Sequence, residues 1–148
     1  MIRRFGILND QVGRGDAFLE GIPFPGAYVT DESGVVTAKF FHDTYKKRDS
    51  PENLLDAAEG RIQLTGDEPN VRNKDPEIPV SISVRGGRGT IRQGIIRHLV
   101  ARFELPTGIH IYGEPVPNDM VPTTVTASGS AGLVFEEPIF PSSEALVL

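Results

Sequence analysis

Three histidines, His42, His98 and His110, are the side chains of this chain best suited to proton transfer or metal binding. No two stand at a metal-ligand spacing such as i, i+4, so the sequence defines no metal site. Each falls in or at the end of a strand-like stretch, where structural or surface roles are the default. His110, between Ile109 and Ile111, is expected on the polar face of its strand. Tyr45 and Arg48 allow a second reading. Arg48 could assist a neighbouring anion, but with Lys46 and Lys47 beside it the plainer expectation is a solvated basic cluster. Arg85-Gly86-Gly87-Arg88-Gly89 lacks both the Gly-Lys-Ser/Thr ending of a P-loop and the helix that follows a dinucleotide loop, so it reads as a flexible hairpin turn. No G-x-S-x-G elbow occurs, and Glu136-Glu137, adjacent on a strand, would face opposite ways. No acid/base dyad emerges. There is no cysteine at all, which removes thiolate chemistry, disulfides and thiolate metal sites, and leaves the compartment open.

The 148 residues suffice for one domain or two small ones. With 39% hydrophobic and 24% charged residues the composition is that of a globular protein. The 16 glycines and 12 prolines favour many turns and hence a β-rich chain. A net charge of −5 argues against a general nucleic-acid or anionic-membrane binder. No apolar run approaches membrane-helix length, and Arg3-Arg4 is not followed by the apolar core of a signal peptide.

These side chains depend on a few elements for their placement. Gly21 to Gly26 is a Pro-rich loop. Ala27 to Thr30 and Val35 to Phe41 are β-branched and aromatic, and Asp31-Glu32-Ser33-Gly34 between them suits a type I turn, so a hairpin is expected. Ser50-Pro51-Glu52 starts a helix with an N-cap serine and a proline at the first helical position. Leu54, Leu55, Ala58 and Ile62 form its apolar stripe, and Gly60 ends it between residues 59 and 63. Gln63 to Pro76 is polar and reads as a linker holding the domain boundary. Beyond it, Pro79 to Val84 and Leu99 to Leu105 alternate with period two, and Ile109 to Tyr112, Val121 to Ala127 and Leu133 to Phe135 read as further short strands of a sandwich.

Two stretches carry resemblances. Pro25, the strand Ala27 to Thr30, Asp31, then Gly34-Val35-Val36 resemble the second half of an AhpC/TSA redoxin domain of the thioredoxin-like superfamily, and Phe5-Gly6-Ile7-Leu8-Asn9 is similar to text ahead of that loop in fusion-type redoxins. Lys39 to Arg48 resembles the last strand and the lead into the final helix. The resemblance implies that Pro25 is the cis proline beside the active-site thiolate, with Phe24, Pro25 and Gly26 as a vestigial substrate-binding loop. The thiolate itself has no counterpart here, so no catalytic residue is assigned.

The stretch Arg102-Phe103-Glu104-Leu105-Pro106-Thr107-Gly108-Ile109-His110-Ile111-Tyr112-Gly113-Glu114-Pro115-Val116-Pro117 resembles the N-terminal domain of DsbD thiol:disulfide interchange proteins, an immunoglobulin-like sandwich that passes electrons through a cysteine pair absent here.

The expected fold is therefore α+β. A partial thioredoxin-like α/β unit (1–64), a linker (65–77) and an incomplete immunoglobulin-like β-sandwich (78–148) follow one another. The resemblances imply a fragment or truncated relative of a thiol-dependent peroxidase or thiol-disulfide oxidoreductase, inactive alone, needing no cofactor or metal, with a thioredoxin-like redox partner. The rival is a non-catalytic interaction or scaffolding module that self-associates through exposed sheet edges.

Overall fold

The computed structural model describes residues 1–10, 15, 18, 20–73, 77–116 and 119–142. It is mixed α+β, mostly sheet, with one helix: β1 (Gly26–Thr30), β2 (Val36–Phe41), β3 (Arg48–Asp49), α1 (Pro51–Glu59), β4 (Asn70–Arg72), β5 (Val80–Val84), a 3₁₀ turn (Gly87–Gly89), β6 (Ile95–Ile96) and β7 (Leu99–Phe103). The chain divides into two compact units, Met1–Glu104 and the part from Leu105 onward.

The hairpin forms as its turn chemistry dictates. Asp31 Oδ1 accepts from the amides of Ser33 and Val35, both at 2.9 Å, and β1 pairs antiparallel with β2 from Gly26↔Phe41 to Thr30↔Val36. Ahead of it, Phe24 N donates to Ile7 O at 2.7 Å and Asn9 N to Ile22 O at 3.1 Å, so the chain enters β1 already extended. Tyr28 stacks at a tilt on Phe41 at 4.8 Å and on Phe5 at 6.2 Å, giving the hairpin an aromatic face.

Helix α1 has the expected bounds. Ser50 Oγ accepts from Asn53 N at 3.2 Å, Pro51 opens the first turn, and Gly60 caps the end in the left-handed conformation. Its expected apolar stripe, however, is not the buried face. Leu55 and Ile62 are exposed and Leu54 is half-buried, whereas Asn53 and Asp56 are buried. Asn53 Nδ2 reaches Asp49 Oδ1 (3.1 Å) and Ile96 O (3.2 Å), and Asp56 meets Arg85. Polar groups with good partners have taken the inner face, and Leu54 lines the cleft on the hairpin side, where α1 packs on β1 and β2.

The stretch expected as a linker is built into the first unit. Glu68 is buried, and β4 pairs antiparallel with β5, which pairs antiparallel with β7. The boundary between units lies at Glu104–Leu105 instead. Period-two polarity placed β5 and β7 correctly; three residues of β4 are too few to show a period. In this sheet Val71, Ile82 and Ala101 lie opposite one another, as do Val80 with Phe103 and Val84 with Leu99, so one face is wholly apolar. Much of that face is open, with Val71 73% exposed, Leu99 47% and Ile82 43%, beside half-buried Val80, Val84 and Phe103; on the other face Ser83 is buried while Asn70, Arg72 and Arg102 are exposed. Among the described residues no hydrophobic side chain is buried, and the interior belongs to Asn9, Ser50, Asn53, Asp56, Glu68, Ser83 and Arg85.

The second unit corrects an expectation. Among its described residues there is no strand at Ile109 to Tyr112, Val121 to Ala127 or Leu133 to Phe135. Half of the chain's 12 prolines lie beyond Leu105, each removing a ladder donor. What holds this part is local, as in Ile109 N to Pro106 O (3.0 Å) and Leu133 N to Ser130 O (3.2 Å), with the longer bond Thr123 N to Tyr112 O at 2.7 Å.

Candidate functional site

The start of β1, the end of β2, β3 and the first turns of α1 enclose a cleft of about 270 Å³, lined by Pro25, Gly26, Ala27, Phe40, His42, Arg48, Asp49 and Leu54. Two of the three residues singled out in the proline loop, Pro25 and Gly26, stand on its wall. Phe24 is committed through its amide to Ile7 and does not line it. Gly26 is required by close approach, since a Cβ there would sit 2.3 Å from Phe40 O and 2.5 Å from the Phe41 ring. The implied cis geometry of Pro25 is not found. The extended bridge between residues 7–9 and 22–24 leads straight into β1, and the cis peptide bond among the described residues is Glu114–Pro115.

The polar wall is anchored from below. β3 pairs in parallel with β6, Arg48↔Ile95 and Asp49↔Ile96; Arg48 N donates to Gly94 O (2.8 Å) and Ser50 N to Ile96 O (3.0 Å). Asp49 is fully engaged: Oδ2 is 2.7 Å from His42 Nε2 and Oδ1 accepts from Asn53. The Arg48 guanidinium is fixed by Nη1, which donates to Lys47 O at 2.6 Å and to Tyr45 O at 2.5 Å. Arg48 is thus part of a built wall and not simply a solvated cation.

On the other side of α1 lies an ionic cluster. Arg85 grips Asp56 through Nε (3.2 Å to each oxygen) and Nη2 (3.0 Å), and its Nη1 lies 3.5 Å from Glu68 Oε1. His98 Nδ1 stands 3.5 Å from Asp56 Oδ2. Burial pushes the Asp56 carboxyl up, but the hydrogen bonds from Arg85 and the Gln63 amide, with the Arg85 charge, bring it below its ordinary value. The Thr65 amide, and then that of Gly66, hold Glu68 down from 4.5 to about 2 against burial. Glu52 is lowered first by backbone hydrogen bonding at its own position, against burial, then by Ser50 and Arg97, whose Nη1 lies 2.9 Å from it. The Arg-Gly-Gly segment finds its role here: a Cβ at Gly86 would fall on the Glu52 carboxylate and one at Gly87 on the Arg97 guanidinium, so the two glycines make room for that ion pair.

The structure therefore brings Pro25, Gly26, His42 and Arg48 together, sets His98 beside Asp56, and leaves His110, Glu136 and Glu137 exposed in the second unit. Asp49, Asn53, Asp56, Glu68 and Arg85 were missed. Asn53 had a local signal, three residues past the N-cap serine; Asp56 and Arg85, 29 residues apart, had none. Among the described residues no group of three or more His, Asp or Glu is placed to hold a metal ion, and no helix is long and apolar enough to cross a membrane. Comparison with protein-family models, curated proteins and solved structures finds no significant match to this chain.

Proposed function

We propose that this chain is a cysteine-free relative or piece of a redoxin-type oxidoreductase that has kept the binding half of that activity: it engages a partner polypeptide at the Pro25 cleft and performs no thiol chemistry. The observation that carries this reading is the cleft itself, with Pro25 and Gly26 on one wall and a fixed Arg48–Asp49–His42 wall opposite. The order of proline loop, hairpin and helix over residues 24–59 supports the thioredoxin-like ancestry, and zero cysteines deny the chain its own nucleophile. The DsbD-like reading of 78–148 has support only from the β5–β7 pairing. A thioredoxin-like protein is the partner to try first. Titrated into isotope-labelled protein, it should shift the amides of Gly26, Ala27, His42 and Arg48, with no peroxide consumption above background; unmoved cleft amides reject the reading.

A scaffolding role is the second reading, and the open apolar face of β4–β5–β7 favours it. Sedimentation would then show concentration-dependent self-association, weakened by Ile82→Thr.

A further inference from the structure

We infer that the Pro25 cleft selects a carboxylate: an acidic side chain of an extended polypeptide enters beside Arg48 and His42 while its backbone lies along β1. This rests on the binding role proposed above and names what that role recognises.

The donor and acceptor inventory of the cleft is one-sided. Asp49, the one carboxylate on its wall, has both oxygens occupied by His42 and Asn53. Among the described residues, the Arg48 guanidinium uses Nη1 alone, on two backbone carbonyls that fix its plane, so the Nε and Nη2 donors remain. His42 spends Nε2 on Asp49 and so braces the wall beside Arg48. Unspent side-chain donors therefore lie with Arg48, and a planar guanidinium held in place suits a carboxylate in particular.

Charge points the same way. The chain is net negative, yet Lys39, Lys46, Lys47 and Arg48 outnumber Asp43 and Asp49 in the stretch leading to and along the cleft. That local field attracts an acidic segment.

A polypeptide, as opposed to a free carboxylate, is indicated by the remaining wall. Among the described residues β1 is hydrogen-bonded to β2 alone, so it has an open edge for an added strand. Pro25, Ala27, Phe40 and Leu54 offer apolar contact for the side chains of such a strand.

The test uses the full chain and a short synthetic peptide of alternating valine and threonine with a central glutamate, its glutamine twin, and free acetate, each titrated calorimetrically. The glutamate peptide should bind about tenfold tighter than its twin. Arg48→Gln should bring the two peptides to equal affinity, while Arg88→Gln, at an exposed position on the 3₁₀ turn, should leave the preference intact. Circular dichroism of both variants should overlay on the parent. Equal affinities for the parent would overturn carboxylate selection and leave polypeptide binding standing. Binding of neither peptide would overturn both. Acetate competing on equal terms would assign the site to free carboxylates and overturn the extended-strand occupant.

Discussion

The inner side of helix α1 and the outer side of the β4–β5–β7 sheet treat water in opposite ways. Under the helix, Asn53, Asp56, Glu68 and Arg85 are buried and each meets a charged or hydrogen-bonding partner. On the sheet, Val71, Ile82 and Leu99 stay open to solvent to 73, 43 and 47%, each forgoing a part of the roughly 1.5–3 kcal/mol that full burial contributes. In the first region removing water from those four groups has been offset by partners, and Arg97 Nε and His98 Nδ1 beside them are buried without a hydrogen bond. The second is unfinished, since an apolar surface reaches its lowest free energy only when something lies on it. This unit is accordingly organised by paired charges more than by an oily core, and it should respond to single charges and to acid more sharply than to trimming of its aliphatic side chains.

Arg85→Met would test that contrast most severely. It strands the Asp56 carboxylate without its cation, and urea unfolding should report a loss of about 3–5 kcal/mol. Adding Asp56→Leu to the same protein should recover most of it; no recovery would mean that Arg85 acts through something other than the pair.

Acid should act on the same region. Glu52, Asp56 and Glu68 all have folded-state values below their ordinary ones, so their stabilisation is present above about pH 4.5 and lost as pH falls toward the folded values, about 2 for Glu68. The urea midpoint should hold steady down to about pH 5 and drop below it, less steeply in Arg85→Met.

On the hairpin, Gly26→Ala drives a methyl against the Phe40 carbonyl and should cost about 1–3 kcal/mol, with loss of near-ultraviolet signal from Tyr28. Ser50→Ala removes a buried N-cap and should cost about 1 kcal/mol by thermal melting. The smallest effect belongs to the apolar face. Ile82→Thr should change monomer stability by no more than about 0.5 kcal/mol yet lower binding of a hydrophobic dye. A large destabilisation there would show that the face is covered in solution.

What could be foreseen divides along the same line. The β1–β2 turn and the α1 caps are written in neighbouring residues, Asp31 with Gly34 and Ser50 with Pro51 and Gly60, and their boundaries were readable from local chemistry. The inner face of α1 was not, since Leu54, Leu55 and Ile62 mimic a core stripe, while Asp56 turns inward only because Arg85 comes to meet it from just past the end of β5. The polar composition of 65–77 suggested a linker for the same reason: Glu68 looks solvent-loving until Thr65, Gly66 and Arg85 surround its carboxylate. In the site, Pro25 and Gly26 stood out by their loop, whereas Arg48 gained its meaning from carbonyls and a parallel neighbour that no spacing rule reveals.

The two-residue parallel pairing of β3 with β6 sets an order of assembly. Hairpin and helix are contiguous and can form as soon as their own residues are made, but Arg48 and Asn53 are held by the carbonyls of Gly94 and Ile96, which follow much later in the chain. Closing so long a loop costs little in equilibrium free energy yet must wait for both ends to exist. On the ribosome, then, the nascent chain displays a hairpin and a helix for some time before the Arg48–Asp49 wall is fixed, which must wait until translation has passed Ile96.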